Sequence, residues 1–260
     1  MLPLRDNIIA RRAPYVTVAL ITINVLVFAM MAVMPEREQQ AFLFHYGLIP
    51  ARIFHPGRVP SYYLQQYGLL VPPHSDLAAS LLPLVTCMFL HGGLLHLVGN
   101  MWILWIFGDN VEDCLGHVGF LLFYLACGLT SSVVQTLSSA ASPVVTIGAS
   151  GAIAGVMGAY LPLYPGARVI TLVWLLFYID IWPIPAFLFL FYWFLIQLTS
   201  GVAALGGGGI LTGGIAWWAH IGGFLAGFGF ILLSGIRPDP KSVRTYERRR
   251  YYLGPGSDAR

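Results

Sequence analysis

Residues 148–163 read GASGAIAGVMGAYLPL, a run without a charged side chain in which Ser150 stands among glycines and alanines. Ser150, Ala154 and Gly158 fall on one helical face at i, i+4, i+8, with Gly151 and Gly155 beside them. Small residues at this spacing let helix backbones approach closely in lipid. The segment, about 149–164, is therefore read as a membrane helix packed against another.

The rest of the chain agrees. Of 260 residues, 57% are hydrophobic and 10% are charged, and the mean hydropathy is +0.74, whereas a soluble domain carries about 25% charged residues. A water-soluble globular protein is excluded. Hydropathy and helix breakers place six apolar segments, at about 15–34, 92–111, 117–136, 149–164, 184–200 and 215–235. The first is longer than a signal-peptide core and is read as a retained helix. The expected fold is an all-α membrane protein of six transmembrane helices: a cytoplasmic segment 1–14, a helical domain 15–235 and a basic, disordered cytoplasmic tail 236–260.

The net charge of +3 does not point to nucleic acid, because the basic residues gather at the two ends. Arg5, Arg11 and Arg12 precede the first span; Arg237, Lys241, Arg244, Arg248, Arg249 and Arg250 follow the last. By the positive-inside rule both termini face the cytoplasm, which requires an even number of crossings. The 35–91 connection then lies outside, and Gly-rich 201–214 is an outer loop. Residues 168–182 hold about a dozen apolar residues bracketed by Arg168, Asp180 and Pro183, and are read as an embedded or interfacial cytoplasmic connection. Cys87, Cys114 and Cys127 have no CxxC spacing, which argues against a disulfide framework or zinc site.

A strongly polar side chain within a span is costly and marks function. Three clusters meet that description: HGGLLHLVGN (91–100), Ser150, and His220 in WWAHIGGFLAG (217–227). Spans two, four and six all begin on the outer side, so His96, Asn100, Ser150 and His220 fall at similar depth. His220, Gly223 and Gly227 share a face at i, i+3, i+7, the counterpart of the small-residue face carrying Ser150. Imidazole can take the serine proton and return it to a leaving amine, and the amide of Asn100 and the ring of His96 can meet a developing oxyanion. From Cys114 to Ile236 the only charged residues are Arg168 and Asp180, both assigned to the cytoplasmic side. A Ser–His dyad is thus expected, with the histidine oriented by packing.

Singly, each feature has a plainer reading. Ser150 is then a packing residue, His220 a hydrogen-bonding residue of the bundle, and His91 a structural residue at the helix entry. The conjunction at one depth favours chemistry.

The GASGA stretch resembles the GxSG motif of the rhomboid family of intramembrane serine proteases. AHIGGFLAG resembles its AHxxGxxxG motif and HGGLLHLVGN its HxxxxHxxxN motif, in family order over residues 15–235. The resemblance implies a six-helix rhomboid-like bundle that cleaves transmembrane or juxtamembrane segments of single-pass or other membrane proteins, with no metal or cofactor. It implies Ser150 as nucleophile, His220 as base, His96 and Asn100 at the oxyanion and Gly148 framing the nucleophile turn, with Glu112 structural. Substrate is expected to enter laterally between spans two and five, with the Gly-rich 201–214 loop as a mobile cap because of its flexible GGGG run. Three positions depart from the family: Leu82 and Pro83 replace an outer-loop Trp-Arg pair, and Ala154 replaces an aromatic residue. Stacking on His220 must then come from elsewhere, with Trp217 and Trp218 as candidates. The expected location is the cell membrane, multi-pass, of a bacterium; the alternative activity is a silent rhomboid-like protein that binds membrane segments.

Overall fold

The computed structural model describes residues 1–54, 80–175, 177–205, 215–238 and 244–245. Six of the described helices coincide, to within a few residues, with the six apolar segments: α1 (Tyr15–Ala32), α2 (Leu94–Leu115), α3 (His117–Ser138), α4 (Ser150–Leu163), α5 (Ala186–Ala203) and α6 (Trp217–Ser234). Among the described residues, α1, α3, α5 and α6 are each long and apolar enough to cross a membrane, and α2 qualifies together with the bent 83–89 segment before it. Residues 206–214 of the expected cap, and the tail beyond Pro238 apart from 244–245, lie outside the described residues.

The short α4 is the centre of the bundle. It packs against α2, α3 and α6, and its residues from Gly151 to Tyr160 are all buried, as expected of a helix that is apolar on every side. Its inner end is level with that of α2, because the Tyr160 hydroxyl and the Asn110 amide both meet the Asp6 carboxylate and the Tyr164 hydroxyl donates to the Asn110 carbonyl at 2.9 Å. Counting ten residues back from each of these anchors, at about 1.5 Å per residue, brings Ser150 and Asn100 to one level. Both lie about 9 Å below the start of α2.

The α4–α6 contact bears out the small-residue faces read from the sequence. A methyl group on Gly223 would land on the Gly151 carbonyl, and one on Gly227 on the Gly155 carbonyl. Only hydrogen at these positions permits backbone contact, and that contact fixes the separation of the helices carrying Ser150 and His220.

Glu112 has the structural role expected of it. No side chain of Pro14 caps α1; instead the Glu112 carboxylate, 1% exposed, accepts from Val16 N–H at 2.9 Å and from both the N–H and the hydroxyl of Thr17 at 2.7 Å. Its Oε1 also meets His117 Nδ1 at 2.6 Å. An anion at a helix N-terminus satisfies donors that the helix leaves unpaired. Glu112→Ala strands three of them and should lower stability by about 3 kcal/mol, while Glu112→Gln should cost about 1 kcal/mol. Thermal unfolding in detergent measures this, with serine reactivity per folded molecule unchanged.

Residues 168–182 form no span of their own, as expected, but the connection is regular rather than merely embedded. They belong to a hairpin, β3 (Arg168–Leu175) and β4 (Tyr178–Pro185), which joins β1 (Leu2–Asp6) in an antiparallel sheet of order β1-β3-β4. The sequence supports it: Val169, Ile170, Thr171 and Val173 are β-branched, and Val169, Thr171 and Val173 are fully buried at alternate positions. Asp180 accepts from the Tyr178 hydroxyl, Ile181 N–H and Trp182 Nε1–H, and the Tyr178 hydrogen bond above all holds its carboxyl below the usual range. Burial pushes the Asp6 carboxyl up to about 7, against the opposing hydrogen bond from Tyr160.

The sheet stands between two helices. Trp102 Nε1–H of α2 donates to the Pro3 carbonyl at 2.6 Å, and Asn110 Nδ2–H donates to Asp6 at 2.8 Å, so β1 runs along α2 from Trp102 to Asn110. On the other side β3 and β4 pack against α5. A shorter pair, β2 (Ile8–Ile9) with β5 (Arg244–Thr245), ties the N-terminal segment to the start of the tail.

Candidate active site

Three helices deliver the site. Ser150 is the first residue of α4, and His220 lies on the first turn of α6. Their side chains meet, with Ser150 Oγ 2.7 Å from His220 Nε2. The helix starts that were expected at one depth therefore do converge. The pair faces a cavity of about 580 Å³ that also receives His96 and Asn100 from α2, with Met157 and Trp193 in its apolar wall.

The turn before Ser150 has a shape only glycine tolerates easily. Gly148 has φ of +130° and its N–H donates to the Cys87 carbonyl at 2.9 Å. A Cβ there would stand 2.8 Å from His96 Cε1 and 2.9 Å from its Nε2. Gly148 thus lets the His96 ring lie against the nucleophile turn. His91, buried, contacts that ring edge-on at 5.1 Å between centroids and lies outside the cavity lining, in keeping with a structural role.

Asn100 is 8% exposed, and among the described residues its Nδ2 has no hydrogen-bond partner. A buried donor left unpaired costs about 1–3 kcal/mol. Asn100 lines the same cavity as Ser150.

The 139–148 approach to Ser150 is held from outside. Leu48 and Thr146 exchange backbone hydrogen bonds of 3.0 and 2.7 Å. Thr86 Oγ1 donates to the Tyr46 carbonyl at 2.7 Å, and Arg52 Nη1 donates to the Phe44 carbonyl while its guanidinium stacks on the Phe44 ring. These contacts brace the connection in which Leu82 and Pro83 depart from the family pattern.

Two residues of the site escape the sequence reading. Aromatic contact with His220 comes from Trp193 of α5, at 5.8 Å between centroids and 37° between planes, rather than from Trp217 or Trp218. His220 is also oriented by more than packing: Gln197 of α5, 5% exposed, places Oε1 2.7 Å from His220 Nδ1. Gln135 of α3 supports the same turn by accepting from Ala219 N–H at 3.2 Å. The signal that finds Gln197 is the one applied to Ser150 and His220, an uncharged polar group amid an apolar span.

A serine hydroxyl within hydrogen-bond reach of an imidazole can be deprotonated as it attacks a carbonyl carbon, and a buried free donor beside it can take up the oxyanion. Residues 78–236 match the family described as the Rhomboid domain. The chain is 36% identical over 155 residues to RHOMBOID-like protein 6, mitochondrial, of Arabidopsis thaliana, covering 58% of this chain and 43% of that protein. It is 32% identical over 182 residues to RHOMBOID-like protein 5 of the same plant, covering 67% and 49%. To rhomboid protease GluP of Bacillus subtilis it is 45% identical over 78 residues, covering 30% and 15%. The chain spans less than half the length of each of these relatives.

Proposed function

Because the chain belongs to the rhomboid family, we propose that it is a multi-pass intramembrane serine endopeptidase, acting on peptide bonds in or next to transmembrane segments of other membrane proteins through a Ser150–His220 dyad. The observation that carries this reading is the 2.7 Å contact between Ser150 Oγ and His220 Nε2.

Ser150 Oγ attacks the scissile carbonyl carbon as its proton passes to His220 Nε2. The tetrahedral oxyanion is met by Asn100 Nδ2–H, with the His96 ring beside it, which the missing side chain of Gly148 allows to lie against the nucleophile turn. Collapse breaks the C–N bond, and His220 returns the proton to the departing amine. Water then hydrolyses the acyl-serine by the same route, giving its proton to His220 and restoring Ser150. No step calls for a metal or cofactor.

The catalytic unit is residues 15–235, with 1–14 and the basic tail 236–260 on the cytoplasmic side. The lipid bilayer is its surroundings and membrane-protein segments are its partners; the cavity opens toward the outer face, and substrate arrives between α2 and α5. The curated name GluP identifies one relative as a rhomboid protease, which supports the activity.

Labelling of the purified, folded protein with a serine-reactive fluorophosphonate tests the reading without a known substrate. Wild type is expected to label and Ser150→Ala to give no signal. Equal labelling of both, or none in a folded wild type that also cleaves no reporter helix, would transfer the assignment to a silent protein that binds membrane segments.

A further inference from the structure

We propose that Gln197 is the third member of the catalytic relay: a positioning residue that selects the Nδ1–H tautomer of His220 and so makes Nε2 a base for Ser150. The inference rests on the dyad reading and deepens it.

A neutral imidazole carries one N–H, and which nitrogen holds it is set by the partner of the other. If Nε2 carries the proton, it can only donate to Ser150, and the serine has no base. If Nδ1 carries it, the Nε2 lone pair faces the Ser150 hydroxyl. Gln197 decides between these through the sense of its amide. Its Oε1 lies 2.7 Å from His220 Nδ1, while its Nε2 is 3.4 Å from the Trp193 carbonyl one turn earlier on α5. Reversing the amide would set NH2 against Nδ1 and oxygen against a carbonyl oxygen. Only an Nδ1–H donor fits the first contact as it stands.

In serine proteases with a buried carboxylate at this position, that group fixes the tautomer and also stabilises the imidazolium. The amide here can do the first and supplies little of the second, which suits a site whose helices carry no carboxylate nearby in sequence. The arrangement makes the base depend on a third helix. Nucleophile, base and positioning amide sit on α4, α6 and α5, and α5 is the most lightly held of these, with buried residues limited to Ala186, Leu190, Gln197 and Gly201. Gln197 is among its few inward anchors, and Trp193 against the His220 ring is another contact. Seating α5 and arming His220 are thus one event.

Two variants of similar volume separate positioning from packing. Gln197→Met removes the acceptor; Gln197→Glu keeps it. Nitrogen-15 NMR of protein labelled at histidine, with the His220 resonances identified by their loss in His220→Ala, reads the tautomer directly, and fluorophosphonate labelling and reporter cleavage read the chemistry. Wild type should show the Nδ1–H form. Gln197→Met should show a mixture with Nε2–H, label about tenfold to hundredfold more slowly and lose kcat by the same factor with KM within about twofold, the loss of one buried hydrogen bond and its tautomer selection. Gln197→Glu should restore the Nδ1–H form.

An Nε2–H wild type, or a folded Gln197→Met that keeps the Nδ1–H form and the wild-type labelling rate, overturns the assignment while leaving the dyad intact. A wild type with the Nδ1–H form that loses it in Gln197→Met, yet never labels, overturns the protease reading and leaves the positioning contact standing.

Discussion

His220→Ala should lower kcat/KM for cleavage of a reporter transmembrane segment in proteoliposomes by about 10⁴- to 10⁶-fold, and adding Ser150→Ala should reduce it no further. A serine hydroxyl at neutral pH is a weak nucleophile until a base removes its proton, so the 2.7 Å contact between Oγ and Nε2 acts as a unit. Losing either partner forfeits the covalent route, and what remains is the cavity's ability to bind and polarise a carbonyl. Groups that act together are for that reason strongly non-additive. If the two single losses multiply in the double variant, the residues act independently and the dyad is wrong. The folded state should survive both changes, because the α4–α6 contact is made by Gly151, Gly155, Gly223 and Gly227 rather than by the polar pair.

Asn100→Ala should reduce kcat by about 10²- to 10³-fold with little change in KM, the usual consequence of removing one oxyanion donor. The same variant should unfold at a temperature no lower than wild type. These opposite signs come from one atom. Nδ2 is buried without a partner among the described residues, which burdens the resting protein and benefits only a state in which an oxyanion has formed. A merely structural asparagine would behave otherwise, with stability falling and activity per folded molecule holding. Differential scanning of the two proteins alongside single-turnover cleavage measures both quantities.

Much of this was legible in the chain. Hydropathy locates all six helices because each is apolar along most of its length, the short α4 included, and α4 could be read as a packed helix from glycine spacing alone. Ser150, His220, His96 and Asn100 stand out because polar groups are rare in such segments, and alternation of crossings brings their helix starts to one end. The β3–β4 hairpin is harder, since a dozen apolar residues between charges suit a buried strand and a partial helix alike, and its pairing with β1 joins residues more than 160 apart in sequence. The alternation of Val169, Thr171 and Val173 is the local clue. Gln197 and Trp193 went unread for a different reason: they sit one turn apart on α5, a helix with no motif, and only tertiary packing turns that face toward His220.

The β1-β3-β4 sheet has a consequence for what this protein can reach. It is wedged between α2 and α5 from the level of Trp102 inward, while the cavity between the same helices is lined from Leu95 to Ile103 on α2 and by Trp193 on α5. Under the proposed function, with substrate arriving between these helices, the gap would be a half-door, shut below and open above. A helix arriving from the side would be stopped at the sill over its lower half and pass only the part that rises beyond it. Weak points in that lower half would go uninspected, and targets would be selected by where along their length they come apart.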